Sequence, residues 1–250
     1  MSGRLVIAGL GPGAARLVTP EVSAALEQAT DLVGYGPYLA RVSERPGQTR
    51  HASDNREEID RARQALQLAE AGRSVVIVSS GDPGVFAMAA AVFEAIETGE
   101  AAWRAVEVEV LPGITAMLAA AARVGAPLGH DFCAINLSDN LKPWELIQRR
   151  LMLAAEADFV IALYNPLSRA RPWQLDRAFG LLLGVRHPAT PVVFARAVSE
   201  PGEQIEIVPL GGASAERADM RTVVLVGSSQ TRVVTRRRGP SYVYTPRRAG

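Results

Sequence analysis

The chain alternates between short apolar runs and longer stretches in which apolar residues recur at helical spacing. The runs 4–9 (RLVIAG) and 74–79 (SVVIVS) are almost continuously apolar, which is typical of parallel strands buried on both faces. Between them, apolar residues three and four positions apart, from Ile59 to Ala69, form one stripe of a long helix. This alternation predicts an α/β fold with a mostly parallel sheet in the first half of the chain.

Residues that favour helix ends accompany these elements. Thr19 and Pro20 supply an N-cap and a first-turn proline for a first helix. Asp54 and Glu57 form a capping-box pattern where the long helix is predicted to start, and Gly72 suits its end. The other elements predicted in the first half are a strand at 31–33, a helix at 85–97 and a strand at 106–111.

The second half has a different pattern. Strands are predicted at 132–137, 159–164, 192–195, 204–208 and 222–226, and helices at 144–155 and 173–183. The last two strands have no long helix between them, which favours a mixed sheet with antiparallel members. We therefore expect an α/β domain at 1–112, a second α/β domain with a mixed sheet at 113–240, and a basic tail at 241–250.

Composition narrows the function classes. The chain has 250 residues, 48% of them apolar, and a formal net charge of +1, which is ordinary for a globular protein and argues against a dedicated nucleic-acid binder. Seven of the last thirty residues are arginines. This basic segment is either a solvated tail or an arm that attracts a polyanionic ligand or partner.

The chain contains few cysteines and histidines. Cys133 is the only cysteine, and the three histidines match no metal-ligand spacing, so we expect neither a disulfide framework nor a metal site. The chain enters a strand directly without a signal peptide, and no apolar stretch reaches the length of a membrane span. We expect a cytoplasmic protein that does not contact membranes.

Small residues follow the predicted strands. Residues 9–13 (GLGPG) lack the spacing of a dinucleotide fingerprint, and Pro12 removes a backbone donor. We therefore interpret this loop as part of a pocket wall rather than as a pyrophosphate-binding site. Residues 79–86 (SSGDPGVF) form either a plain turn or a ligand loop. Ligands of open α/β sheets bind beyond the carboxyl ends of the strands, where the Asp82 carboxylate would be available.

Four loops taken together are more specific than any one of them. In order and spacing, residues 9–13 (GLGPG), 80–83 (SGDP), 112–116 (PGITA) and 163–166 (LYNP) resemble the tetrapyrrole (corrin and porphyrin) methyltransferase family, which uses S-adenosylmethionine. Within that family, further stretches are similar to the enzymes that methylate position 17 of a corrin precursor in cobalamin biosynthesis. These stretches are 34–39, 53–58, 79–89, 128–132, 137–139, 164–169 and 226–231.

The resemblance implies a fold, a cofactor and binding residues. The family has two α/β domains with S-adenosylmethionine in a cleft between them, usually in a homodimer. Carried over by motif, the residues implied to bind the cofactor are Pro12, Ser80, Gly81, Asp82, Val85, Thr115, Ala116, Asn165 and Ala197. A bent cofactor in a tight site needs small residues and free backbone more than long side chains.

The implied substrate is a tetrapyrrole edged with carboxylates, and arginine can bind carboxylates bidentately. The arginines near family loops that we expect to bind substrate are Arg50, Arg56, Arg169 and Arg171. Some relatives carry an aspartate after the tyrosine of the second strand as a proton acceptor, but here Gly36 follows Tyr35. The catalytic acid or base is therefore unassigned, with His130, Asp131 and Tyr35 as candidates.

The implied reaction couples methylation at position 17 to contraction of the macrocycle, with loss of the carbon at position 20 as an acyl group. The resemblance does not separate a metal-free substrate from the cobalt-containing substrate of the anaerobic pathway. Two other classes stay open: a nicotinamide-dependent reductase of corrin precursors, based on the glycine loop alone, and a non-catalytic module that holds a pathway intermediate.

Overall fold

Two units make up the chain, Met1–Thr115 and Ala116–Gly250. The structure is a computed structural model, and the residues that it describes are 3–54, 57–168 and 170–248. Within them, no helix has the length and apolar character that crossing a membrane requires.

The first unit contains five strands and four α-helices among its described residues. The strands are β1 (Arg4–Gly9), β2 (Asp31–Tyr35), β3 (Thr49–Ser53), β4 (Ser74–Ser79) and β5 (Glu107–Leu111). The helices are α1 (Pro20–Gln28), α2 (Gly36–Leu39), α3 (Glu58–Glu70) and α4 (Met88–Thr98). The strands lie in the order β3-β2-β4-β1-β5, and every pair is parallel, as the sequence predicts.

Alternate side chains of the central strands pack on opposite faces of this sheet. Leu5 and Ile77 belong to a cluster with α3 and α4, whereas Val6 and Val78 pack with residues of α1 and α2. All four side chains are 4% exposed or less. Burial on both faces explains why β1 and β4 are continuously apolar in sequence.

Two helices of this unit begin later than the sequence predicts. The first residue of α3 is Glu58 rather than Asp54, although the capping-box hydrogen bond from Asp54 N–H to Glu57 Oε2 is present at 3.0 Å. Helix α4 begins at Met88 rather than Val85, because Phe86 has a positive φ of 53° that interrupts the helix. The cap of α1 is as predicted, with Thr19 Oγ1 accepting from Val22 N–H at 3.3 Å.

The buried carboxylate of Asp31, at the start of β2, connects this strand to His51 of β3 and to Arg73, which precedes β4. Asp31 is 2% exposed, and its carboxylate accepts from Arg73 Nε at 2.7 Å and contacts His51 Nε2 at 2.9 Å. Burial raises the pKa of Asp31, but the hydrogen bonds from Arg73, His51 and Thr30 outweigh burial and hold it below its ordinary value of 3.8.

We expect Asp31→Asn to destabilise the first unit by about 1–3 kcal/mol at neutral pH, because charge-assisted hydrogen bonds are lost. Since the folded-state pKa is lowered, ionised Asp31 stabilises the fold above its ordinary pKa, and this contribution disappears as the pH falls through the folded-state value. Urea unfolding should therefore show a difference from wild type at neutral pH that shrinks as the pH falls below the ordinary carboxyl pKa of 3.8. Asp60→Asn, on an exposed helix face, is the matched control; an equal loss in both variants would contradict the prediction.

The second unit contains eight strands and three α-helices among its described residues. The strands are β6 (Gly125–Ala126), β7 (Phe132–Asn136), β8 (Val160–Tyr164), β9 (Pro191–Arg196), β10 (Gln204–Pro209), β11 (Thr222–Val226), β12 (Arg232–Val234) and β13 (Tyr242–Tyr244). The helices are α5 (Ala116–Val124), α6 (Trp144–Glu156) and α7 (Gln174–Leu183). Helices α2 and α5 and the strands β3, β6, β12 and β13 are not predicted from the sequence.

The larger sheet of this unit is mixed, as predicted, with the order β10-β9-β11-β8-β7. Strands β7 and β8 are parallel, and β11 is antiparallel to both β8 and β9. Strands β7, β8 and β9 therefore run in the same direction and end at the same edge. Side chains from α6 and α7 cover one face of the sheet, where Leu151 and Leu175 are fully buried.

The segment predicted to be a basic tail from residue 241 instead contributes a strand. Tyr242–Tyr244 pairs with both β12 and β6 in a three-stranded sheet. Val243 is 1% exposed, and the buried Thr245 hydroxyl donates to Pro127 O at 2.6 Å. These apolar and hydroxyl side chains hold the segment, whereas the sequence-based prediction considered only its arginines.

Candidate functional site

The loops after β1 and β4 meet at the carboxyl edge of the first sheet. Gly11 and Gly81 form an isolated antiparallel bridge, in which each N–H donates to the other carbonyl at 3.1 and 2.9 Å. Both glycines have φ of +65°, a conformation that other residues rarely adopt. The two glycine-rich motifs of the sequence therefore form one connected structure.

The loop after β5 approaches these two loops closely. A Cβ atom on Gly113 would lie 2.1 Å from Gly81 O and 2.8 Å from Gly9 O. A Cβ atom on Gly9 would in turn lie 2.6 Å from Gly113 N. We call Gly9, Gly81 and Gly113 the glycine cradle. Its three backbone segments can lie this close only because Gly9 and Gly113 lack a Cβ atom.

Asp82 joins two of these loops through its carboxylate. Oδ1 accepts from Gly84 N–H at 2.8 Å, and Oδ2 accepts from Gly113 N–H at 3.1 Å. The sequence predicts a carboxylate available to a ligand here. In the structure both oxygens accept from backbone donors, so this side chain shapes the cradle.

The other residues implied to bind the cofactor in the first unit lie in the same loops. Pro12 and Ser80 are half-buried, in the loops after β1 and β4. Val85 N–H donates to Asp82 O at 3.2 Å, which closes a turn ahead of α4. Thr115 is 6% exposed and ends the first unit. Their contact with a cofactor stays a prediction.

The carboxyl ends of β7 and β8 form a second polar cluster, in the second unit. Asn165 Nδ2 donates to Asn136 Oδ1 at 3.0 Å, and the same oxygen accepts from Ser138 N–H at 2.9 Å. The Tyr164 hydroxyl accepts from Met117 N–H at 3.0 Å, in the first turn of α5, one residue after Ala116. The predicted motif around Asn165 is therefore at the carboxyl edge of its sheet.

Asn165 and Ala197 share an unusual backbone conformation. Both have φ of 49°, and they directly follow β8 and β9, which end at the same edge of the sheet. Left-handed φ is uncommon for residues other than glycine, and for alanine it carries a strain cost. Ala197 is also 5% exposed, and its N–H donates to Arg221 O at 2.9 Å. Strained backbone of this kind is concentrated at functional sites.

Arg171 is near this edge but already has acidic and amide partners. Its Nη1 donates to Asp139 Oδ1 at 2.5 Å and also to the side chain of Asn140. Burial raises the pKa of Asp139, but the hydrogen bond and the charge of Arg171 lower it below the ordinary value. A substrate carboxylate would compete with Asp139 for this guanidinium.

The other expected substrate arginines differ in placement. Arg50 donates from Nη1 to Leu39 O at 3.0 Å and from Nη2 to Val42 O at 2.8 Å, so it caps the end of α2. Arg56 and Arg169 lie outside the residues that the structure describes. Their roles in substrate binding stay predictions.

The catalytic candidates are not brought together. Within the second unit, His130 and Asp131 are exposed and precede β7, so they lie at the opposite edge of the sheet from Asn136 and Asn165. Tyr35 ends β2 at the carboxyl edge of the first sheet, with its ring 5.2 Å from that of Tyr38 in an edge-to-face contact. Of the three candidates, Tyr35 alone is at the carboxyl edge of the sheet in its own unit, the edge that carries the loops implied to bind the cofactor.

Sequence reasoning missed Arg41. Its side chain donates to the carbonyls of Leu10, Gly11 and Gly13 and to the hydroxyl of Ser80. These partners are mostly backbone carbonyls far away in sequence, so no motif or spacing marks this arginine. In the part of the chain that the structure describes, no group of three or more His, Cys, Asp or Glu residues could hold a metal ion.

Comparison of the sequence with known families gives a match that includes these loops and covers most of the chain. Residues 4–214 match the profile of the tetrapyrrole (corrin/porphyrin) methylases. The chain belongs to this family. The predicted family resemblance is therefore confirmed.

The relatives agree with this membership. The chain is 61% identical over 247 residues, covering 99% of this chain and 97% of the relative, to a Sinorhizobium protein named precorrin-3B C(17)-methyltransferase. It is 41% identical over 230 residues, covering 92% of this chain and 94% of the relative, to the probable cobalt-factor III C(17)-methyltransferase of Salmonella typhimurium. It also spans about half, 49%, of a Mycobacterium tuberculosis protein named cobalamin biosynthesis protein CobIJ, at 50% identity over 99% of this chain.

A solved structure supports the fold. The crystal structure of the methyltransferase CobJ superposes with a TM-score of 0.93 at 58% identity, covering 98% of this chain and 100% of that one. The predicted α/β fold with a parallel and a mixed sheet is thus confirmed.

Proposed function

We propose that the protein is an S-adenosyl-L-methionine-dependent methyltransferase of cobalamin biosynthesis. It methylates position 17 of precorrin-3B and contracts the macrocycle to give precorrin-4. The observation that carries this proposal is the likeness, over nearly the whole chain, to the Sinorhizobium protein named for this reaction. The geometry of the first unit fits the same chemistry.

In this proposal the glycine cradle is a wall of the site that binds the methyl donor. Cβ atoms on Gly9 and Gly113 would clash with each other's backbone and with Gly81 O, so the three loops form a tight wall of backbone. When bound, S-adenosylmethionine supplies a methyl group on an already electrophilic sulfonium. The task left to the protein is to position the reacting groups, which can contribute roughly 7–11 kcal/mol.

In this assignment the loops of the first unit hold the donor. Ser80, Gly81 and Asp82 follow β4, and the Asp82 carboxylate keeps the loops after β4 and β5 at a fixed separation. Pro12, Val85, Thr115 and Ala116 complete the proposed set. Asn165 and Ala197, with their left-handed backbone, are the proposed donor contacts of the second unit.

The half-buried tyrosines Tyr35 and Tyr38 are groups that could direct protons. Burial raises the pKa of the Tyr38 hydroxyl, although the charge of Arg41 opposes the shift, so this hydroxyl stays protonated at neutral pH. Its neighbour Tyr35 is the catalytic candidate that we retain. His130 and Asp131, at the opposite edge of their sheet from Asn165, are less suited to a role in the reaction.

Product analysis tests the proposed reaction. The purified protein is incubated under nitrogen with S-adenosylmethionine and either precorrin-3B or cobalt-factor III, and the products are analysed by mass spectrometry. Gain of one methyl group on precorrin-3B, with a contracted ring, supports the proposal. Methylation of neither macrocycle, or tight calorimetric binding of NADPH without binding of S-adenosylhomocysteine, overturns it.

The cobalt-containing substrate is the alternative. The name of the Salmonella relative favours it, whereas the more similar Sinorhizobium relative favours the metal-free substrate. Methylation of cobalt-factor III alone in the same experiment would select this alternative.

The proposal includes an oligomeric state and a location. We place the enzyme in the cytoplasm and expect a homodimer, as the family resemblance implies. Light scattering of the purified protein measures the oligomeric state, and a monomeric mass at enzymatically active concentrations contradicts the homodimer. Fractionation of cells that express the chain measures the location.

Arg169→Ala is expected to raise the KM for the tetrapyrrole about fivefold to tenfold with little change in kcat, because one carboxylate contact is lost. Steady-state kinetics at saturating S-adenosylmethionine measures this. Arg177→Ala, which removes an exposed arginine of α7, is the matched control. An unchanged KM in the Arg169 variant removes this arginine from the substrate-binding set.

A further inference from the structure

Arg41 connects two loops of the proposed donor site. Its Nη2 donates to the carbonyls of Leu10 at 2.7 Å, Gly11 at 3.0 Å and Gly13 at 3.3 Å. Its Nη1 donates to the Ser80 hydroxyl at 3.1 Å. One guanidinium therefore holds the loop after β1 and the first residue after β4.

The loop that Arg41 holds is anchored at its start, where Leu10 N–H donates to Ser79 O at 2.8 Å, and it offers few side chains that could order the rest. Residues 9–13 contain three glycines and a proline, so their backbone is costly to order and Pro12 donates no hydrogen bond. The bridge between Gly11 and Gly81 fixes the middle of the loop. The carbonyls of Leu10 and Gly13 are fixed in addition by the guanidinium.

The segment that carries Arg41 is itself anchored. Arg41 follows α2, and its N–H donates to Tyr38 O at 3.1 Å. On either side of it, Leu39 O and Val42 O accept from the guanidinium of Arg50. Arg50 thus holds the backbone from which Arg41 reaches the loops, a role different from the substrate binding expected from sequence.

We infer that Arg41 is a positioning residue for the methyl donor, which orders the loop after β1 and aligns it with Ser80 before the donor binds. The inference rests on the proposed function, because it assigns these loops to the donor. Arginine is suited to this role because its planar fork donates in several fixed directions at once. A lysine ammonium at this position is a compact group that cannot reach both loops with the same geometry.

Calorimetric binding of S-adenosylhomocysteine tests the inference. Arg41→Ala is expected to raise the Kd about tenfold, and Arg41→Lys by an intermediate factor, because a misaligned loop weakens binding. In kinetics the KM for S-adenosylmethionine should rise while the KM for the tetrapyrrole stays near its wild-type value. Amide hydrogen exchange across residues 10–18 should be faster in both variants without ligand.

Chemical rescue separates positioning from a general loss of fold. Millimolar guanidinium chloride should restore part of the binding in the Arg41→Ala variant and leave wild type unchanged. The matched control is Arg45→Ala, which removes an exposed arginine from the same segment that pairs only with Glu27 at 2.7 Å among the described residues. If Arg41→Ala unfolds, binding is tested with Arg41→Lys instead, and its melting temperature is measured to show that it is folded.

The outcomes are distinct. A Kd within about twofold of wild type for Arg41→Ala and Arg41→Lys, less than the expected loss, overturns the inference while leaving the proposed function intact. Absence of S-adenosylhomocysteine binding by the wild-type protein overturns the proposed function instead. Equal weakening in Arg45→Ala and Arg41→Ala would also overturn the inference, since the effect would then not depend on the contacts to the loops.

Discussion

Replacing Gly113 with alanine is expected to abolish measurable donor binding, with Kd for S-adenosylhomocysteine rising by more than about 100-fold. The new Cβ atom would lie 2.1 Å from Gly81 O and 2.8 Å from Gly9 O, far inside van der Waals contact. Both neighbours are backbone atoms, so the loops after β1, β4 and β5 must move apart. We also expect the free energy of unfolding to fall by about 3 kcal/mol.

Calorimetry and urea unfolding measure these two effects. Gly180→Ala is the matched control, because a Cβ atom there meets nothing within 4 Å and the residue lies in α7. Alanine should stabilise that helix slightly and leave binding unchanged. Wild-type affinity in the Gly113 variant would show that the glycine cradle does not hold the donor.

Asp82→Ala is the second substitution with a large expected effect. It removes the acceptors of Gly84 N–H and Gly113 N–H, at 2.8 and 3.1 Å. Hydrogen bonds to a charged group contribute about 1.5–3 kcal/mol each, so their loss should loosen the loops after β4 and β5 considerably. We expect the Kd for S-adenosylhomocysteine to rise by up to about 100-fold.

Asp82→Asn tests whether both carboxylate oxygens are needed. An asparagine has one acceptor oxygen, and its amide would face a backbone N–H as a second donor, so this variant should bind nearly as weakly as Asp82→Ala. Asp60→Ala, with a side chain that is 78% exposed on α3, is the matched control for the loss of an acidic residue. Full affinity in Asp82→Asn would contradict the assigned role of the second oxygen.

The interpretation of Asp82 changes between sequence and structure. From sequence, a carboxylate in a glycine-rich loop suggests direct recognition of a hydroxyl or ammonium group. In the structure, the same carboxylate accepts from two backbone amides and holds two loops together. A weaker donor affinity is expected in both cases, but the reason is positioning of the loops rather than a direct contact.

Local patterns were sufficient for much of the fold. Strands β1 and β4 were predictable because a strand buried on both faces must be apolar throughout, and α1 because Thr19 and Pro20 are strong signals for a helix start. Strand β3, by contrast, has polar residues such as the exposed Thr49 and the half-buried Arg50, so it lacks an apolar signal. Helix α5 lacks a helical signal because residues 116–122 are apolar at every position, so no apolar stripe stands out against polar positions.

The sequence by itself determined the alternation of strands and helices, the parallel and mixed character of the two sheets, and the family. All of these depend on local periodicity and on short motifs at set separations. Tertiary structure alone decided that Arg41 clamps the loop after β1, that Asp82 joins two loops, and that His130 precedes β7 at the edge opposite Asn165. These facts depend on hydrogen bonds and strand directions between residues distant in sequence, which no local pattern encodes.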